Sequence, residues 1–468
     1  MFEAGKGVSV ECMARRNDDF SDDDEPELPE GFDFEELKKL LGNLPGFDPS
    51  MLSEGGVLHL DENTIKQFMG AMNSVVNQQT GGVSWNLARD RATQVARASQ
   101  KSTNQGDLDA MEGAFRVAAL WLDEATVFSE VPNPPKLLTR EQWVNATLEV
   151  WTDLAHPVAE GISAIIANTF QSEDSEEVAE FINSTKKIID NVGGAIYAMQ
   201  FGEVVGQLSK EVLSGGDVGI PLFGSKEDAI QAALIPQNLA EFGKGLDIDE
   251  EQIRLYLAIR ELAHARLFRQ ARWLNLHVIS AVREISKGNQ IDLEFFEGFA
   301  EDPSRFDPEE LKQAITSGKM LKPKSEAQLA ALARLESTLA LIEGWVEVVT
   351  ETAASRLPSA AAIAETVRRR RAAGGPAEST FATIAGLELR PRRVREAADL
   401  WRKITNALGI EKRDALWDHP DLVPSSEDID DPTGLIARLQ DPDPEPDEVD
   451  LAIEELLNDE NGDSRPTE

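Results

Sequence analysis

The sequence predicts a mainly α-helical protein: one large helical body with little β-structure, flanked by disordered acidic ends. Three observations carry this. Helical spacing of apolar residues recurs along most of the 468-residue chain. Period-2 alternation never runs beyond four or five residues. The acidic charge gathers at the two ends, where it opposes packing. With 41% hydrophobic residues, the chain can bury a large core.

The elements follow in order. Residues 17–36 hold eleven Asp/Glu and no Lys/Arg, so 1–33 read as a disordered acidic N-terminus. Within it, Met13 opens a stretch that reads as a natural start. Phe34 to Leu44 has the spacing of a short amphipathic helix, ended by Pro45-Gly46. Helical periodicity then covers 62–78, 84–101, 107–129, 140–170, 175–190, 192–213, 226–242, 249–270 and 272–287. Asp107 precedes one of these runs as a cap, and Thr139 with Gln142 has the form of a capping box. Gly202 and Gly206, one helical turn apart, predict a close-packing helix face. The best strand candidate is Val218 to Phe223. Helices resume at 308–317, 325–356, 358–373 and 391–408. The helical domain therefore spans 34–425, and the acidic stretch 426–468 reads as a disordered tail. No internal repeat is evident.

Composition excludes several functions. The net charge of −38 repels nucleic acid. No run of 18 apolar residues exists to cross a membrane. The one cysteine, Cys12, excludes a disulfide framework and a cysteine zinc site. No basic region followed by an apolar run opens the chain, so a cytoplasmic location is expected. Gly374-Gly375 lacks the phosphate-loop and dinucleotide patterns, so no nucleotide cofactor is expected. Ser84, Ser163 and Ser379 lack the nucleophile-elbow context of a serine hydrolase. The arginines at 368–371, with Arg390, Arg392, Arg393 and Arg395, could clamp a phosphate or carboxylate. The simpler expectation is a solvated helix end that balances the acidic body.

The chemistry concentrates in Arg260-Glu261-Leu262-Ala263-His264. This is the H-E-x-x-H pattern of zinc proteases with its first histidine replaced by arginine. Residues four apart share a helix face, so two histidines there can grip one zinc ion, and the glutamate points at the metal-bound water. On a helix, Leu257, Glu261, His264 and Phe268 form one stripe, with Arg260 beside it. A carboxylate and an imidazole inside an apolar stripe need partners when buried. A hydrogen-bonded His-Glu pair or an ion pair between helices satisfies this as well as a metal does. The second element is Leu341-Ile342-Glu343-Gly344-Trp345-Val346-Glu347. Glu343 and Glu347 share a face, and Gly344 admits close approach of another element at a cost of about 1 kcal/mol relative to Ala. Trp273 and Trp345 are expected to pack the core near the two motif helices, 250–270 and 325–356.

Four stretches carry a wider likeness: IPQNLAEFGKGLDIDEEQIRLYLAIRELAHARLFRQARWL (235–274), LALIEGWVEVV (339–349), RRRRAAGGPAESTFATIAGLELRPRRVREAADLW (368–401) and RDALWDHPDLVP (413–424). Through them the chain resembles the zincin-like family of actinobacterial hydrolases, often labelled zinc-dependent metalloproteases. A sister group is associated with biosynthesis of a deazaflavin coenzyme. The likeness covers roughly 35–425. It implies a zincin-like helical fold and a hydrolase acting on a peptide or protein. It makes Glu261 the general base, and His264 and Glu343 the zinc ligands. Arg260 stands where the family has its first histidine, and arginine cannot ligate a cation. His277 is a secondary candidate for the missing position, and Glu347 a secondary candidate as partner of the Arg260 guanidinium beside Glu343. The resemblance thus implies a zinc-dependent metallopeptidase with a degenerate motif. The charge of Arg260 implies the alternative, a metal-free scaffold with its guanidinium in the metal's place, which binds a peptide or protein partner.

Overall fold

A computed structural model describes residues 83–169, 194–195, 197–223, 231–287, 322–372 and 393–440. The expected elements at 34–44, 62–78, 175–190 and 308–317, and most of the N-terminal region, lie outside them.

The described residues are helical almost throughout. In chain order the helices are α1 (Trp85–Ala98), α2 (Gln105–Leu122), α3 (Arg140–Thr169), α4 (197–211), α5 (Pro236–Gly243), α6 (Glu250–Gln270) and α7 (Arg272–Lys287). Then come α8 (Glu326–Ala353), α9 (Ala360–Ala372), α10 (Val394–Ala415), α11 (Ser426–Asp430) and α12 (Pro432–Gln440). Two short strands, β1 (Lys136–Leu137) and β2 (Ala233–Leu234), pair in parallel. The segment 218–223 is not a strand but part of an irregular connection. It has the apolar residues of a strand, but Gly219 at φ 84° bends the chain out of extended form.

Local chemistry explains the helix starts. Thr139 and Gln142 exchange side-chain to main-chain hydrogen bonds in a capping box at α3. At α2 the cap is Asn104 rather than Asp107. Asn104 accepts from the Asp107 amide and donates to its carboxylate. Ser325 and Gln328 form the capping box of α8.

The centre of the body is a stack of helices. α6 packs along α2 on one side and against α8 on another, and α8 packs along α10. Consequently α6 is buried nearly all round from Ile253 to Leu267, not along one stripe. Glycines set the closest approaches. A side chain at Gly206 of α4 would meet Val95 Cβ of α1 at 2.6 Å, and one at Gly202 would strike the Ala88 carbonyl. The expected close-packing face therefore rests on α1. Gly344 of α8 lies under the main chain of α10, where an added Cβ would sit 2.7 Å from Ala398 N.

An aromatic and ionic cluster locks α10 to α8. Asp414 is fully buried and accepts from Thr126 Oγ1, Val127 N, Trp345 Nε1 and Arg413 Nε at 2.6–2.9 Å. Trp345 stacks on Phe128, and Trp401 stacks on Trp417. Trp273 donates to the Trp417 carbonyl.

The ordered body also extends past 425. α11 and α12 bury Ile429 and Leu435, and Arg393 and Arg438 bind Asp430 and Asp428. The expected tail at 426–468 thus begins too early, because its first fifteen residues still carry apolar anchors among the acids.

Adding a methyl at Gly344 should destabilise the protein by about 1–3 kcal/mol in urea unfolding, since main chain blocks it. The same change at Gly113, which meets nothing closer than the Arg116 side chain at 4.0 Å, should stabilise by about 0.5–1 kcal/mol. Equal effects at the two positions would refute this account of α8–α10 packing.

Candidate functional site

α6 and α8 bring Arg260, Glu261, His264 and Glu343 together in the core, each at most 8% exposed. Glu343 is the hub. Its Oε2 accepts from Arg260 and from Arg371 of α9, and its Oε1 lies 3.1 Å from His264 Nε2. The other ring nitrogen of His264 lies 3.1 Å from the Arg260 carbonyl. Burial alone would push the Glu343 carboxyl up. Arg371, Arg260 and His264 together hold it well below the usual carboxylate range.

Glu261 faces away from this hub. Its two oxygens accept from the amides of Gly216 and Ala233 at 2.9 and 2.8 Å. Burial pushes its carboxyl up, against these bonds and the nearby His264.

A strap of irregular chain, 213–223, lies directly on the cluster. A side chain at Gly215 would meet Glu261 Oε1 at 2.7 Å, and one at Gly216 would meet the His264 ring at 2.7 Å. Gly219 would meet Arg371 and Glu343 at 3.2 and 3.4 Å. Asp217 anchors the strap by accepting from Leu213 N and from Arg370. The three glycines are thus what lets main chain rest on Glu261, His264 and the hub.

The secondary candidates lie elsewhere. Glu347 accepts from Arg368 and lies 3.7 Å from Arg402. His277 is exposed on α7, edge-on to Trp273, beyond the helix break at Ala271. The structure does not bring it to Glu343.

The arginine run is not a solvated helix end. Arg368 pairs with Glu347 and Glu351, Arg370 with Asp217, and Arg371 with Glu343, while Arg369 stays at the surface on Glu365. Sequence reasoning missed Arg371 as a partner of Glu343, although a signal was present. Glu343, Glu347 and Glu351 recur every four residues on one face of α8, and Arg368 and Arg371 share a face of α9.

These residues do not fit a zinc ion. Both Glu343 oxygens and both His264 nitrogens already have partners, and the guanidinium of Arg260 offers no lone pair. Among the described residues no three His, Cys, Asp or Glu side chains converge to hold a metal. No helix among them is long and apolar enough to cross a membrane.

The site is thus a helix bearing Glu-x-x-His packed against a helix bearing Glu-Gly. Residues 83–436 match the family model described as zincin-like metallopeptidase, and the chain belongs to that family. A crystal structure from Chloroflexus aurantiacus, of a candidate hydrolase with a novel fold, is similar over 76% of this chain and 99% of its own. Its TM-score is 0.50 at 19% identity, so it supports the fold alone. No curated protein sequence matches the chain.

Arg260→Ala should cost about 3–5 kcal/mol, because it removes one partner of a buried charge. A mutant melting within a degree of wild type would refute the pairing. The hub also fixes a pH dependence. The folded pKa of Glu343 lies below its unfolded value, so its contribution is full above the ordinary carboxylate range. That contribution is lost as pH falls through and below this range. Chemical unfolding from pH 7 to 3 should therefore show a shallower acid loss in Glu343→Gln than in wild type.

Proposed function

We propose that this zincin-family chain is a metal-free scaffold that acts by binding a peptide or protein partner, with two arginines in the role of the zinc ion. The observation that carries the reading is the convergence of Arg260 and Arg371 on Glu343. A fixed cation neutralises the buried carboxylate, so the helix pair keeps its electrostatic balance without metal. Two further features support it. The Glu261 carboxylate is taken up by main-chain amides, and glycines of the strap lie against Glu261 and His264. A general base must reach the proton it removes, and here strap backbone fills that approach.

A zinc-dependent hydrolase is the second reading. It rests on the family match and on Glu261 and His264 standing in the register of the zinc-protease motif.

Elemental analysis of the purified full chain separates the two. The expected result is no stoichiometric zinc in wild type, and zinc uptake in Arg260→His combined with Arg371→Ala. Peptide-library hydrolysis should not rise above buffer in wild type or in Glu261→Gln, while library binding should be the same in both. One zinc per wild-type chain, lost in His264→Ala and in Glu343→Ala, would overturn the proposal, as would hydrolysis abolished by Glu261→Gln.

A further inference from the structure

The helix that brings Arg371 to the hub is held differently from the two helices beneath it. α9 lies against α6 and α8. Those helices bury unbroken runs of side chains, 255–267 and 339–350. Across 360–371, α9 buries only Ile363, Ala364 and Val367. The rest of its hold is ionic. Arg368 binds Glu347 and Glu351 of α8, Arg370 binds Asp217 of the strap and the Glu211 carbonyl, and Arg371 binds Glu343. These three arginine side chains stay 20–27% exposed, so water reaches them in place. Partly hydrated pairs lose less on separation than fully buried ones.

Each carboxylate that α9 serves also keeps a second partner. Glu343 keeps Arg260 and His264, Glu347 and Glu351 keep Arg402, and Asp217 keeps the Leu213 amide. Withdrawing α9 therefore orphans no acid, and an orphaned buried charge is what makes such pairs costly to break. The chain enters α9 through a short turn at 357–359, where the Ser359 amide donates to Gln252 Oε1. That turn is a ready hinge.

We propose that α9 is a latched cover over the hub. It swings out as a unit about the 357–359 turn while α6 and α8 stay folded, and its arginines are the latch. Opening uncovers the Arg371 side of Glu343. It also releases the Asp217 turn of the strap, whose far end stays pinned by the buried Ile220 and Leu222. Ionic strength and any competitor for the arginines then control access to the hub. That a partner uses this access rests on the function proposed above, whereas the opening itself does not.

Hydrogen exchange of the full chain at pH 7, followed by mass spectrometry, reads the opening directly. Residues 360–371 should exchange at least about a hundredfold faster than 339–350, because a helix with few apolar anchors opens well below the cost of global unfolding. Raising salt from about 20 mM to about 500 mM should speed 360–371 about threefold or more, since partly exposed pairs are screened. Arg368→Ala with Arg370→Ala should speed 360–371 and 214–219 together, about tenfold or more. Thr126→Val, which removes a bond to Asp414 on the α10 side of α8, should speed 339–350 and leave 360–371 at the wild-type rate. Equal protection of 360–371 and 339–350 would overturn the proposal. So would a Thr126→Val effect shared by both segments, or wild-type exchange of 360–371 in the double arginine variant. None of these readings depends on zinc or on a partner, so the function proposed above can fail without this inference, and the reverse.

Discussion

A buried carboxylate must be neutralised where it stands, and the arrangement of this protein turns on how Glu343 meets that demand. Glu343 is 1% exposed and sits mid-way along α8. Leaving such a charge unpaired costs several kcal/mol. Its partners come from two other elements: Arg260 and His264 from α6, and Arg371 from α9. Meeting the charge therefore fixes the rotation of α6 and the docking of α9 together. The strap inherits its constraint from the same cluster, since only glycine fits where its backbone meets Glu261 and His264. A network of this kind specifies an arrangement more than it adds net stability, because an apolar packing of equal volume would do as well energetically.

The opposite side of α8 solves a similar problem differently. Asp414 is fully buried together with its partner Arg413. Tryptophan, threonine and main-chain donors fill its remaining acceptor sites. Glu343 and Trp345 flank Gly344 in sequence, so one short stretch of α8 carries both hubs and the closest helix contact between them. A substitution anywhere in Glu343-Gly344-Trp345 would disturb α6, α9 and α10 at once. The helix pair is thus held by guanidinium charge from Arg260 and Arg371 on Glu343.

Much of this was legible along the chain. The long helices follow from apolar spacing, and those of α3, α6, α7 and α8 start and stop within a few residues of expectation. Capping chemistry identified the start of α3, and Gly202 and Gly206 announced a close helix contact. Arg260, Glu261 and His264 were singled out by their likeness to the H-E-x-x-H pattern, and Glu343 by the family resemblance of its Glu-Gly pair. Less local features were not legible. The described part of the run 226–242, from 231 on, is a short strand followed by a short helix, because pairing with β1 overrode helical spacing. The Asp414 cluster gave no signal, because its Trp345 and Thr126 donors lie 69 and 288 residues away.

The sequence by itself determined that the protein is helical, that position 260 carries a fixed cation with no lone pair, and that a carboxylate and an imidazole, Glu261 and His264, interrupt one apolar helix stripe. These follow from spacing and side-chain chemistry, which are local properties. The tertiary structure alone decided which cation meets Glu343, that Arg371 shares it, and that Glu261 turns to the strap rather than to Arg260. Such choices depend on which elements pack together, and a buried charge takes whichever donor the packing brings within reach.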